Sequence, residues 1–151
     1  MIIDLEATQG EWFPFFGSHI NMETGETVYE EPTPDARVQI RSMAPFYEDR
    51  LAKRQKKYEH VYNPKTRQME RVAFYQELTP AEEKAEREDA WDYTITGIEG
   101  FVDSKTGDTI ACTRENKLKL MKLPVFDRFM ARCLQILNSA GIKEKEDEEK
   151  N

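Results

Sequence analysis

An α+β fold is what this chain predicts, on three observations. Its N-terminal half holds short runs of alternating apolar and polar residues separated by Gly, Pro and Asn turns. Its C-terminal half holds two helix starts of the Thr-cap kind, at Thr79 and Thr113. A long apolar-faced segment then closes the sequence after Pro124. The expected architecture is an N-terminal antiparallel sheet of β hairpins joined to a C-terminal helical unit. One domain covers 1–142, mainly β over 1–76 and mainly α over 79–142, and 143–151 is an acidic, disordered tail.

The elements follow in order. Residues 11–30 read as a first hairpin: EWFPFF is aromatic-rich, NMETGE turns at Gly25, and TVYEE returns. Pro14 has no N–H for a ladder, which places it on an edge strand or a bulge. Pro32 and Pro34 then break the chain, and 36–43 (ARVQIRSM) alternates as a half-buried strand does. Pro45 suits the first turn of a helix carrying Phe46, Arg50 and Leu51. Beyond it, two alternating strands flank Asn63-Pro64-Lys65-Thr66, a good turn, and give a hairpin polar at every other position. Because an isolated hairpin is only marginally stable in water, this one is expected to pack on a sheet or a partner.

Thr79-Pro80-Ala81-Glu82 combines an N-cap Thr, Pro at N1 and Glu at N3. Where that helix ends is open. Trp91, Ile95, Ile98 and Val102 recur at helical spacing, whereas Thr94-Ile95-Thr96, Gly97 and Gly100 argue for a break between 94 and 101. A turn over 103–108 and a short extended TIAC lead to Thr113 and the helix RENKLKLMK. In the last helix Val125, Phe126, Phe129, Met130, Cys133, Leu134 and Leu137 form a wide apolar stripe, with Gly141 as its natural C′ residue. The tail KEKEDEEKN has nothing apolar to bury.

Composition narrows the function classes. The chain has 151 residues, 38% hydrophobic and 34% charged, with a net charge of −7. Such an acidic balance disfavours general nucleic-acid binding. No apolar run reaches the roughly 18 residues of a membrane span, and the start MIIDLEATQGEW lacks the pattern of a signal peptide. Cys112 and Cys133 make no disulfide framework, so a reducing cytoplasm is expected, with both thiols as small buried hydrophobes. His19 and His60 lie in separate hairpins, and no pair among these histidines and cysteines has structural-zinc spacing. Neither a Ser-centred elbow nor an HExxH or a phosphate-loop motif occurs. The expectation is no enzyme, no cofactor and no metal.

Charge is unevenly spread. From Glu48 to Arg71 eight Lys or Arg face four acids, and 77–92 holds seven acids against two bases. The carboxylates of 82–92 read as a solvated helix face. The preferred reading of the asymmetry is that basic and acidic segments face each other, within one molecule or between copies. Single-strand nucleic-acid binding by the basic 50–71 segment, with Tyr58, Tyr62 and Tyr75 stacking on bases, is the alternative.

From Trp91 onward the chain resembles the C-terminal part of tail assembly chaperones and related small tail proteins of tailed bacteriophages. The resemblance runs through Trp91, Ile95, Ile98, Gly100, Val102, Asp103, Gly107, Ile110, Thr113, Glu115, Asn116, Leu120, Pro124 and Phe126, about a third of the chain. The hairpins at 11–30 and 56–76 depart from that family's pattern. What the resemblance implies is a non-enzymatic phage or prophage protein, cytoplasmic in the bacterial host, that holds an aggregation-prone tail-length protein in solution. Its candidate partner contacts are Leu118, Phe126, Phe129 and Met130, each of which reads first as a core residue and second as interface. A regulatory or host-takeover protein that binds a host protein is a further alternative, and the sequence leaves oligomeric state open.

Overall fold

The computed structural model describes residues 9–150, with side-chain surroundings through residue 139. Seven strands and four helices alternate along it: β1 Glu11–Pro14, β2 Ser18–Ile20, β3 Thr27–Tyr29, β4 Arg37–Ile40, α1 Ala44–Lys53, β5 Lys56–Asn63, β6 Gln68–Tyr75, α2 Pro80–Thr94, β7 Ile95–Glu99, α3 Arg114–Met121 and α4 Pro124–Lys150. The fold is α+β, with antiparallel sheets and the helices mainly C-terminal.

A three-stranded sheet in the order β1-β4-β7 organises the molecule. Its central strand β4 alternates as expected: Val38 and Ile40 are buried, Arg37 and Gln39 are not. β1 lies at the edge, where Pro14 sits at the strand end opposite Arg37. The expected hairpin over 11–30 divides in two. β1 leaves to pair with β4, and Ser18–Ile20 takes its place as the partner of Thr27–Tyr29 around the Gly25 turn. Pro14 ends the first strand, so the aromatic run EWFPFF cannot continue as one ladder.

The larger departure is β7. Residues 95–99 carry on from α2 without a loop, as a strand against β4 with Val38 opposite Ile98. The β-branched Thr94 and Ile95 explain the switch from helix to strand. Gly97 explains the close packing: a Cβ there would lie 2.6 Å from the Trp12 ring. Gly100 has φ +83°, and a Cβ on it would fall 1.8 Å from the Asp35 carbonyl oxygen, so the exit from β7 requires glycine. Through β7 the mainly α half of the chain enters the N-terminal sheet.

α4 covers that sheet. Phe126, Phe129, Met130 and Cys133 join Val38, Ile40, Ile95, Ile98 and Leu120 in one buried cluster, with Phe13, Phe15 and Phe16 packed against it. Rings of Phe15 and Phe16 contact Phe129 at centroid distances of 5.0 and 4.9 Å, one tilted and one edge-on. The aromatic N-terminal run therefore serves the core. Helix starts follow the sequence signals. Thr79 accepts from the Glu82 N–H while the Glu82 carboxylate accepts from the Thr79 N–H, and Thr113 accepts from the Asn116 N–H. The α4 backbone continues past Gly141, where the sequence places its end. The expected acidic tail over 143–151 falls outside the residues with described side chains.

Candidate binding surfaces

Three of the four candidate partner contacts are core. Phe126, Phe129 and Met130 are 2%, 1% and 0% exposed. The stripe they form on α4 is spent on the β1-β4-β7 sheet, so these three take the core role that reads first from their spacing and not the contact role. Leu118 alone remains at the surface, half-buried. With Trp91 and Met121 it floors a groove of about 380 Å³ between α2, α3 and the start of α4, rimmed by Lys84, Arg87, Glu88, Lys122 and Asp127.

The acidic face of α2 has cationic neighbours in the same molecule. Arg50 of α1 and Arg54, its C-cap residue, reach Asp89 and Glu86 at 3.0 and 2.7 Å, and Arg114 of α3 reaches Asp89 at 2.7 Å. Lys117 is 8% exposed and donates to both the carboxylate and the backbone carbonyl of Asp92, at 3.1 and 3.0 Å. Burying an ammonium is tolerable only with such partners. Part of the charge asymmetry is thus resolved internally, by α1 against α2. Two wide clefts flank Arg54, each about 700 Å³, lined by Tyr47, Tyr75 and Arg87 on one side and by Phe46, Arg50 and Tyr93 on the other. No histidine, cysteine or serine lines either of them.

The cations of β5 and β6 are a different case. Every residue of the two strands is exposed except Asn63, which is half-exposed. The turn forms as its sequence predicts: Asn63 accepts from the Lys65 N–H through its side chain and from the Arg67 N–H through its carbonyl, with Arg67 at φ 55°. Opposite residues share a face, and the register divides the ribbon into two. One face carries Lys56, Tyr58, His60, Tyr62, Met69, Arg71, Ala73 and Tyr75 and has no acid. The other mixes Val61, Val72 and Phe74 with Lys57, Glu59 and Glu70. On the acid-free face Arg71 lies 3.9 Å above the Tyr58 ring and Lys56 lies 5.7 Å from the Tyr75 ring. Among the described residues Lys56, Lys57, Lys65, Arg67 and Arg71 form no salt bridge. The sequence called for packing against this hairpin, and among the described residues its strands stay uncovered.

His19 and His60 belong to β2 and β5, and among the described residues no three metal-ligating side chains cluster. Cys133 is buried in the core, and that burial pushes its thiol up to about 12. Cys112 is exposed, contrary to expectation. Partial burial of its sulfur nevertheless raises its pKa, with Lys117 pulling it down and Asp92 pushing it up. A thiol so tuned is a weak nucleophile. Among the described residues no helix is long and apolar enough to cross a membrane.

No protein-family model matches this chain, and neither a curated protein nor a solved structure does.

Proposed function

We propose that this chain is a non-enzymatic binding protein of a tailed phage or prophage, related to tail assembly chaperones, which keeps an aggregation-prone tail protein soluble before assembly. The observation that carries the reading is the groove over Trp91, Leu118 and Met121. It has an apolar floor and a charged rim of both signs, the form that accepts the apolar face of an amphipathic helix. Its apolar floor, though not the Lys84, Arg87 and Glu88 part of its rim, belongs to the segment from Trp91 onward that resembles those chaperones. A helical tail-length protein exposes such faces along its length, and reversible cover of them is what would prevent its aggregation. The net charge of −7 adds solubility to the complex.

Co-expression with the tail-length protein encoded by the same phage tests this. The partner should stay in the soluble fraction with the wild-type chain and pellet with Leu118→Glu, a variant checked for folding by circular dichroism. Equal partner solubility with and without this chain would remove the proposal.

A further inference from the structure

The basic ribbon has a counterpart elsewhere on the molecule. β2, β3 and the segment leading to β4, residues 18–35, hold Glu23, Glu26, Glu30, Glu31 and Asp35 and no Lys or Arg. This second hairpin is exposed too, and its uncovered side chains include Ile20, Met22, Val28 and Tyr29, with Met22 at 92%. It is fastened on one side only. The buried Ser18 accepts from Arg128 of α4 at 2.7 Å, and the Arg132 guanidinium lies 5.7 Å from the Tyr29 ring. The one ion pair its carboxylates form among the described residues is His19 with Glu30, at 3.7 Å and open to solvent. Residues 56–75, by comparison, carry five Lys or Arg against two Glu, a net +3 on a chain of −7.

We infer that the basic β5–β6 ribbon of one copy docks on the acidic β2–β3 hairpin of a second copy. Each surface offers what the other lacks. The acid-free ribbon face presents Tyr58, Tyr62, Tyr75 and Met69 beside Lys56 and Arg71, and the hairpin exposes Ile20 on one face, Val28 on the other and Met22 at its turn, next to Glu23 and Glu26. Apolar contact at the centre with opposite charges around it is how specific interfaces obtain both affinity and orientation. Self-pairing of like hairpins is opposed by charge in either case. A two-stranded ribbon is marginal alone in water and gains from a covering partner.

A polynucleotide is the poorer occupant. The acid-free face offers two full cations, Lys56 and Arg71, enough to neutralise about two phosphates, whereas the acidic hairpin brings exposed apolar side chains for the tyrosines as well as carboxylates for the cations. An interface between two hairpins falls at the small end of the size range, so the association is weak and depends on protein concentration.

The contact is independent of the Trp91 groove, and its test leaves that groove intact. Sedimentation velocity on the full chain should show mass rising with concentration at low salt, with the association constant falling at least about tenfold at high salt, where charges are screened within a few Å. Lys56→Glu/Lys57→Glu/Arg71→Glu should be monomeric, and so should Glu23→Lys/Glu26→Lys/Glu31→Lys. Mixing those two variants should restore association, as should one chain carrying both sets, because each ribbon then again meets a hairpin of opposite sign. A wild-type chain that stays monomeric at every concentration overturns the inference, and so does self-association that survives either reversal. Loss of a labelled single strand's mobility on wild-type protein, with no self-association, would transfer the ribbon to nucleic acid. Should either triple variant fail to fold, the salt dependence of the wild type decides.

Discussion

Two pairs of antiparallel strands in this molecule use similar residues for opposite ends. β4 and β7 pair through Val38, Ile40, Ile95 and Ile98, all buried beneath α4. β5 and β6 pair over twice the length, with Tyr, Val, Met and Phe along them, and bury none of these. What separates them is the third layer. A helix with a wide apolar stripe closes over the first pair, and nothing within the described chain closes over the second. Hydrophobic residues in a strand thus signal a covering layer without saying which chain supplies it. For β4 and β7 it is this chain's own α4; for β5 and β6 we infer a second copy.

The contrast is sharpest at Phe129. It is 1% exposed and contacts Phe15, Phe16 and Phe126. Phe129→Ala should cost about 3–5 kcal/mol, read as a drop in the denaturant midpoint. A loss under about 1 kcal/mol, the size typical of a surface change, would put α4 off the sheet and undo the distinction between the two strand pairs.

Next in size is the support beneath α3. Asp92→Ala removes the Oδ1 acceptor of Lys117, along with the Oδ2 partner of Arg114, and leaves a buried ammonium with one carbonyl partner. The expected loss is about 1–3 kcal/mol. Lys117→Met in the same background should recover much of it, since an apolar replacement needs no partner. If the double variant is no more stable than Asp92→Ala, the cost lies in α2 rather than in the stranded charge.

The buried thiol gives a smaller, pH-dependent effect. Its pKa is raised to about 12 in the folded chain. The unfolded thiol loses its proton first, so stability falls as pH rises from the ordinary thiol range toward 12. Cys133→Ala should flatten that limb of the profile. In the native chain an alkylating reagent should modify Cys112 well before Cys133, because only Cys112 is exposed. Equal labelling rates would mean that the core beneath α4 opens readily.

How far the sequence reaches follows the same division. Local chemistry was readable: the caps at Thr79 and Thr113, the helix starts at Pro45 and Pro124, the Asn63 turn and the alternation of β4 all form as their residues dictate. Non-local pairing was not. Ile95 and Ile98 fit a helical spacing while Thr94-Ile95-Thr96 and Gly97 argue for a break, and the deciding partners, β4 and the Trp12 ring above Gly97, come from strands some 55 to 85 residues earlier. For the candidate contacts the choice between core and contact surface was open for a related reason. An apolar stripe such as Phe126, Phe129 and Met130 looks the same in sequence whether a sheet or a partner covers it. Of that set Leu118 is the survivor. The acidic hairpin at 18–35 went unread because its carboxylates are spread among turn residues rather than clustered as on α2.

The ribbon should tolerate what the core does not. Tyr58 and Tyr62 are 53% and 57% exposed, so replacing both by Ser removes little buried area. Their cross-strand partners are Ala73 and Met69, and each such pair is worth roughly 0.2–1 kcal/mol to the ribbon itself. That energy belongs to a local unit. A hairpin that opens while α4 stays on β4 and β7 does so below the global unfolding free energy, and weakening it further leaves the global transition in place. For dilute protein the double variant should therefore unfold within about 0.5 kcal/mol of wild type, as surface changes do. Amide exchange in β5 and β6 should be faster than in β4 and β7, and faster still in the variant. At high concentration the wild-type ribbon should gain protection that the variant lacks, since docking on a second copy's acidic hairpin covers Tyr58 and Tyr62. A global loss above about 1 kcal/mol in dilute solution would mean the ribbon is packed on its own body, and the two strand pairs would then differ in degree only.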